Sequence, residues 1–491
     1  MSGGVQLLAY ADRLGGSIAG VGELLDGPLA AFDGVHLLPF FVPFDGDDAG
    51  FDPVDHGSVD PRLGTWDDVR RIARTREVTA DLIVNHVSAD SAEFADWLAH
   101  QELSPHDGMF LTFDTVFPDG ASEADITAFY RPRPGLPFTA YRAGDGRRRL
   151  VWTTFLPSQV DLDVRHPAAV AHLSRLLEIL RDGGVTTVRL DAVGYAIKTP
   201  GSDSFMTEET LAFVRDITDL AHSRGLRVLV EVHAHYSQQL AIAPLVDLVY
   251  DFALAPLLLH SLLTGTTDRL ESWLQIRPRN AVTVLDTHDG IGIIDAGPSG
   301  GRAGLLDFEE MRAIFAAAET ATNGHSAIAS VLPAWTALPH QINAAFFSVL
   351  GADPTRYLLC RAVQLFLPGT PQIYYVGLLG GLDDVALFAR TAVGRDVNRH
   401  YYDAAELAGA LSGEVAQAIL GLVRLRSSPA FAGEFSSGRD AEGLRLAWTG
   451  DDASAVLRVR VAPGDVGFSI ETAQGESRRR YDSVRGLANV P

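Results

Sequence analysis

The chain carries one cysteine, Cys360, in 491 residues. No internal disulfide can form, and thiol chemistry would rest on a single side chain inside the apolar segment RYLLCRAVQLF. Basic residues are scarce as well. Lys and Arg number 40 against 62 Asp and Glu, a formal charge of -22. That balance argues against nucleic acid or an anionic membrane as a general partner, and leaves room for a small anionic substrate held by a few local cations. No run of about 18 uncharged apolar residues exists, so no membrane span is expected. The N-terminal stretch MSGGVQLLAYADRLGG lacks a basic leader. A soluble cytoplasmic protein is the expectation. Phosphate-loop GxxxxGK[ST] and metalloprotease HExxH patterns are absent. The acidic stretch FDGDDAGFD (44–52) lacks the spacing and closing glutamate of a calcium loop, so no metal is expected there.

What the chain does have is short apolar runs, most followed by a polar break and a helical pattern. They are VQLLAY (5–10), GVHLLPF (34–40), DLIVNHV (81–87), VTTVRLDAV (185–193), RVLVEVH (227–233), VDLVYDFA (246–253), AVTVLDTHD (281–289) and TPQIYYVG (370–377). A doubly wound sheet shares this alternation, but eight strand–helix units favour a (β/α)8 TIM barrel of the α/β class. Two spacings exceed simple crossovers and read as inserted subdomains. The expected division is a catalytic barrel over 1–86, 162–291 and 352–432, with insertions at 87–161 and 292–351. Short alternating strands after about residue 432 predict a small C-terminal β domain at 433–491.

Ionisable residues gather where these runs end. Arg189 and Asp191 lie two apart in VTTVRLDAV and so face the same way on a strand. A structural ion pair would explain them alone. Asn85-His86, Glu231 with His233, and His288-Asp289 close three other runs, and a barrel gathers such ends on one face. Three carboxylates in one pocket point to glycoside chemistry, in which one acid is the nucleophile and a second the acid/base. Arg189 would keep Asp191 ionised as nucleophile. Glu231 follows VLV, an apolar setting that would suit a general acid. Asp289 would brace the substrate as charge develops on the sugar. His86, His233 and His288 fit hydrogen-bond donors better than zinc ligands.

The phrases VRLDAVGY, LVEVH and VLDTHDGIG resemble strand ends of the α-amylase superfamily, glycoside hydrolase family 13. ADRLGG, HLLPFF, PFDGDDAGFDP, LGTWDDV, IVNHVS, YRPRPGLPF, YDFALAPLLLH and GRDVNRHYY are similar to phrases of its sucrose phosphorylase subfamily, over nearly the whole chain. The resemblance implies retaining glucosyl transfer by double displacement, with Asp191 as nucleophile, Glu231 as acid/base and Asp289 as stabiliser. It implies that Asp48, Phe51, His86, Phe155, Gln159, Arg189, His288 and Arg399 hold the glucosyl unit. Arg133, His233 and Gln341 would face the acceptor and inorganic phosphate. Family members include monomers and homodimers.

One loop departs from the subfamily pattern. Where sucrose phosphorylases carry Asp-Leu-Tyr-Gln, this chain has Leu338-Pro339-His340-Gln341, and His235 stands where tyrosine is usual. Losing an anion and gaining two imidazoles favours an anionic acceptor. The expectation shifts toward the branch that cleaves sucrose 6F-phosphate, with Arg133, His235 and His340 as phosphate contacts. The alternative is neutral variation and an ordinary sucrose donor, followed by glucosylglycerol or glucosylglycerate. A hydrolase of the same superfamily would release free glucose instead. A catalytically silent partner subunit would usually lack one of the three carboxylates, and all three are present.

Overall fold

The computed structural model describes residues 4–131, 135–330 and 338–490. Eight parallel strands close into a barrel in chain order: β1 (Gln6–Ala9), β2 (Gly34–Leu37), β3 (Glu77–Ile83), β4 (Thr187–Asp191), β5 (Arg227–Val230), β6 (Leu248–Asp251), β7 (Ala281–Thr283) and β8 (Thr370–Tyr374). Each apolar run supplies one strand. Residues on these strands are buried on both faces, which is why they read as continuous apolar segments and not as alternating ones.

The inward positions of the barrel are partly polar. Tyr250 donates to Gln372 Oε1 at 3.0 Å, and Gln372 Nε2 donates to Gln6 Oε1 at 3.2 Å. His36 Nε2 meets Asp81 Oδ2 at 3.1 Å. These groups are buried, and pairing removes most of the cost of burying them. They form a floor beneath the strand ends.

Three runs end sooner as strands than their apolar content implies. β3 stops at Ile83, and His86–Ser88 leaves the barrel to pair antiparallel with Gln159–Asp161. β5 stops at Val230 and β7 at Thr283. Glu231, His233, His288 and Asp289 therefore sit on loops beyond the strands.

Between β3 and β4 lies a separate small core of Leu111, Val116, Phe117 and Trp152, flanked by the hairpin Phe138–Arg142 and Arg148–Trp152. Between β7 and β8, helix Phe308–Ala321 starts at a capping box of Asp307 and Glu310. There the pair Ile291–Gly292 runs antiparallel to Gln341–Ile342. After the barrel, β9 (Glu434–Asp440), β10 (Gly443–Thr449), β11 (Ala453–Ala462), β12 (Asp465–Gln474) and β13 (Ser477–Tyr481) form one antiparallel sheet. Trp448 anchors it by donating its indole N–H to the Phe366 carbonyl at 2.6 Å. Among the described residues no single helix is long and apolar enough to cross a membrane.

Candidate active site

Arg189 is the hub. Its side chain is 2% exposed, and it lies beside Asp81 of β3 and Leu229 of β5 in the barrel register. One end of the guanidinium, Nη1, pairs closely with Asp81 and reaches Asp191 Oδ1 at 3.0 Å. The other, Nη2, lies 3.0 Å from Glu231 Oε1. Burial alone would raise the Asp81 carboxyl, but Arg189 and His36 hold it well below the usual carboxylate range. Asp81 closes the back of the hub.

Two expectations change here. Arg189 was expected to keep Asp191 ionised. Burial instead pushes the Asp191 carboxyl well above its ordinary value, and Glu231, Asp81 and Asp289 add to the push that Arg189 opposes. One guanidinium divided among three acids cannot neutralise each of them. Glu231 was expected in an apolar setting. Its carboxylate lies against Arg189 and 3.6 Å from His233 Nε2, so VLV describes the strand behind it and not its surroundings.

The chain turns sharply after the aspartate. Ala192 adopts φ 54°, ψ 20°, a left-handed conformation that costs an alanine roughly 1 kcal/mol or more. The turn ends the strand at Asp191 and starts the short helix Val193–Tyr195.

Asp289 faces this cluster from the loop after β7. Arg395 Nη1 is 2.6 Å and Arg399 Nη2 3.8 Å from its Oδ1. Burial raises Asp289, but Arg395, His288, His233 and Arg399 outweigh it and hold the carboxyl well below the usual range. Arg399 also donates from Nε to the His288 carbonyl at 2.8 Å. The His288 ring stacks on Phe51 at 4.9 Å between centroids, and burial pushes its pKa well down. Phe51 is further fixed by His86, whose Nε2 lies 3.0 Å from the Phe51 carbonyl. The His86 ring meets Phe155 at 5.5 Å. Half-buried Asp48 lies in the same loop as Phe51, and its charge acts on Arg395. Gln159 pairs across from Ser88, accepts from Leu156 N–H at 3.0 Å, and is fully buried. The expected sugar-side residues are thus drawn to one end of the barrel.

The acceptor candidates divide. His233 stacks on Phe252 at 3.9 Å with its Nε2 toward Glu231 and Asp289. His340 and Gln341 lie close by: the His340 carbonyl accepts from Ile293 N–H at 3.1 Å, and Gln341 pairs with Gly292. His235 is a correction. Its Nε2 meets the Ala303 carbonyl at 3.0 Å and its Nδ1 the Ser237 hydroxyl at 2.8 Å, where it caps helix Tyr236–Ile242. Both nitrogens are used within the protein, so it is no phosphate contact. β5 ends at Val230, and by His235 the chain has turned into the start of that helix. Arg133 lies outside the described residues.

Three residues were not singled out from the sequence: Asp81, Arg395 and Asp295. Asp81 opens DLIVNHV, and Arg395 lies four before Arg399 inside GRDVNRHYY. Buried Asp295 meets His233 Nδ1 at 3.1 Å. Glu231, His233 and Asp289 present atoms within 4.8 Å of one another, a separation that one metal ion can span. Arg189 and Arg395 already supply cations to two of the three.

Acids converging on one buried arginine at the strand ends of a parallel barrel belong to the class of (β/α)8 enzymes that act on glycosidic bonds. The alpha-amylase catalytic-domain family model matches residues 14–241. A sucrose phosphorylase of Agrobacterium vitis is 47% identical over 94% of this chain and 96% of its own length. A sucrose 6(F)-phosphate phosphorylase of Thermoanaerobacterium thermosaccharolyticum is 36% identical over 92% of this chain and 94% of its own. The crystal structure of sucrose 6F-phosphate phosphorylase from Thermoanaerobacter thermosaccharolyticum matches at TM-score 0.91 and 32% identity, over 98% of each chain. The chain belongs to glycoside hydrolase family 13, and within it to the sucrose phosphorylase subfamily.

Proposed function

We propose that this enzyme is a retaining glycoside phosphorylase that cleaves sucrose 6F-phosphate with inorganic phosphate, giving α-D-glucose 1-phosphate and D-fructose 6-phosphate. The observation that carries the chemistry is Arg189 bridging Asp191 and Glu231, each 3.0 Å from one end of a single guanidinium. A nucleophile and an acid/base held by one fork are close neighbours, as retention requires; such pairs stand about 5–5.5 Å apart.

Asp191 attacks the anomeric carbon as the bond to the fructosyl oxygen breaks. Glu231 gives its proton to that oxygen. One proton across the Asp191–Glu231 pair serves this step, provided it stands on Glu231 at the moment of attack. Asp289, held ionised by its arginines, bonds the sugar hydroxyls and offsets the positive charge growing on the ring. In the second half a phosphate oxygen attacks the same carbon, the bond to Asp191 breaks, and Glu231 recovers a proton. Two inversions give net retention. No metal or organic cofactor enters the scheme.

His340 supports the phosphorylated donor: it lies near His233, in the loop where an acid and a tyrosine are otherwise found. A second reading, sucrose itself, is supported by the 47% identity to the sucrose phosphorylase and by the inward turn of His235. The sugar phosphates on both sides of the reaction fit a cytoplasmic setting.

The test is glucose 1-phosphate release in phosphate buffer, with sucrose and sucrose 6F-phosphate at equal concentration. The proposal expects preference for the phosphorylated donor. Equal or faster turnover of sucrose would establish the second reading. Free glucose as the main product would contradict both.

A further inference from the structure

Phosphorolysis sets an electrostatic problem that hydrolysis does not. A phosphate anion must approach a pocket that holds Glu231 and Asp289 beside the glucosyl ester of Asp191. Some donor must face that anion from between the acids.

His233 stands at that place. Its ring is held on one face and at one nitrogen. Phe252 stacks on one face at 3.9 Å with planes 19° apart. Asp295, fully buried, lies 3.1 Å from Nδ1 and also accepts from the Ala234 N–H at 3.1 Å. Gln239 Nε2 lies 3.4 Å from the same carboxylate. Nε2, at the far end of the ring, has no hydrogen-bond partner among the described residues and points between Glu231 at 3.6 Å and Asp289 at 4.0 Å.

The backbone is shaped around this contact. A Cβ on Gly292 would lie 2.2 Å from Asp295 Oδ2 and 3.1 Å from His233 Nδ1. Only glycine leaves the aspartate and the imidazole room to meet.

We propose that Asp295 is a positioning residue for the phosphate acceptor: it fixes the His233 ring so that Nε2–H points at the phosphoryl oxygen entering beside Glu231. The inference rests on the phosphorylase reading. Asp295 accepts the Nδ1–H, and the two acids facing Nε2 favour a second proton there. The surroundings thus favour the doubly protonated ring. Burial opposes that charge, but Asp295, Glu231 and Asp289 together raise the His233 pKa. The grip is separate from the glucosyl side, where Arg189 and Asp81 do the holding.

The test uses α-glucosyl fluoride as donor, so that no fructosyl group intervenes, and compares glucose 1-phosphate with glucose as products over a phosphate series. Asp295→Asn keeps the size but loses the charge. It is expected to raise the phosphate KM about tenfold or more and to lower the ratio of phosphorolysis to hydrolysis to a similar degree. Gly292→Ala, which wedges the same contact without touching either partner's chemistry, is expected to move both readouts in the same direction by a smaller factor. It carries the test if Asp295→Asn fails to fold. An unchanged phosphate KM, or equal loss of both products in both variants, would overturn the assignment. Wild-type enzyme that makes only glucose would overturn the phosphorylase reading itself, a failure visible before any variant is compared.

Discussion

The pocket has two halves built in different ways. The glucosyl half hangs on β3 and β4 and on the loops just past β5 and β7. Its groups interlock: Asp81 with Arg189, Arg189 with Asp191 and Glu231, Arg395 and Arg399 with Asp289. The acceptor half hangs on the chain between β7 and β8. Ile291–Gly292 pairs there with Gln341–Ile342, and His340 and Asp295 close on His233. The first half carries chemistry shared by a superfamily. On the proposed function, the second decides what takes and what leaves the glucosyl group. Barrel hydrogen bonding fixes one, whereas a single short strand pair fixes the other.

The two halves should break differently under substitution. Asp191→Asn is expected to cost the most, about 10⁴-fold or more in kcat with the fold intact, as loss of a covalent nucleophile does. Circular dichroism and product assay check both parts; near-normal activity would remove Asp191 from its role. Arg189→Leu leaves Asp81, Asp191 and Glu231 without their shared cation. Breaking a buried pair on one side costs roughly 3–5 kcal/mol, so urea unfolding should show a large loss of stability together with loss of activity.

In the acceptor half, His340→Tyr is expected to change the ratio of sucrose 6F-phosphate to sucrose turnover about tenfold, in favour of sucrose, while stability stays close to wild type; loss of one charge-assisted hydrogen bond is worth about that factor. Arg395→Gln sharpens the boundary between the halves. Arg395 helps hold the Asp289 carboxyl down, so its removal lets that pKa rise. Asp289 would then take a proton at higher pH, and the acidic limb of kcat/KM should move up the pH scale. A limb that stays in place would mean that Arg395 does not act on Asp289. His235→Gln should do least, about twofold or less on the phosphate KM, because both ring nitrogens already serve the Ser237–Ala303 contacts.

This contrast also explains what was legible in the sequence. The glucosyl half could be read because charge at the end of an apolar run is conspicuous, and because a barrel brings strand ends together whatever lies between them. All eight runs became barrel strands. Asp81 escaped notice because it opens DLIVNHV as an ordinary strand residue; its role appears only when β3 lies beside β4, 108 residues away. Asp295 is 62 residues from His233, and nothing local marks it. Its position in the subfamily pattern marked His235 as an acceptor contact without showing its surroundings: β5 ends at Val230, and His235 caps a helix. The setting of Glu231 was misjudged for a similar reason: neighbours in sequence describe a strand's own backbone, and the groups around a side chain come from other strands.

The most direct test of the two-half account is kcat/KM of wild type and His340→Tyr on three donors: α-glucosyl fluoride, sucrose and sucrose 6F-phosphate, all with phosphate as acceptor. The account predicts that the substitution shifts the ratio between the two natural donors about tenfold and alters the fluoride reaction far less. A uniform loss on all three donors, or an unchanged ratio, would contradict it, and would mean that the loop around residue 340 does not choose the substrate.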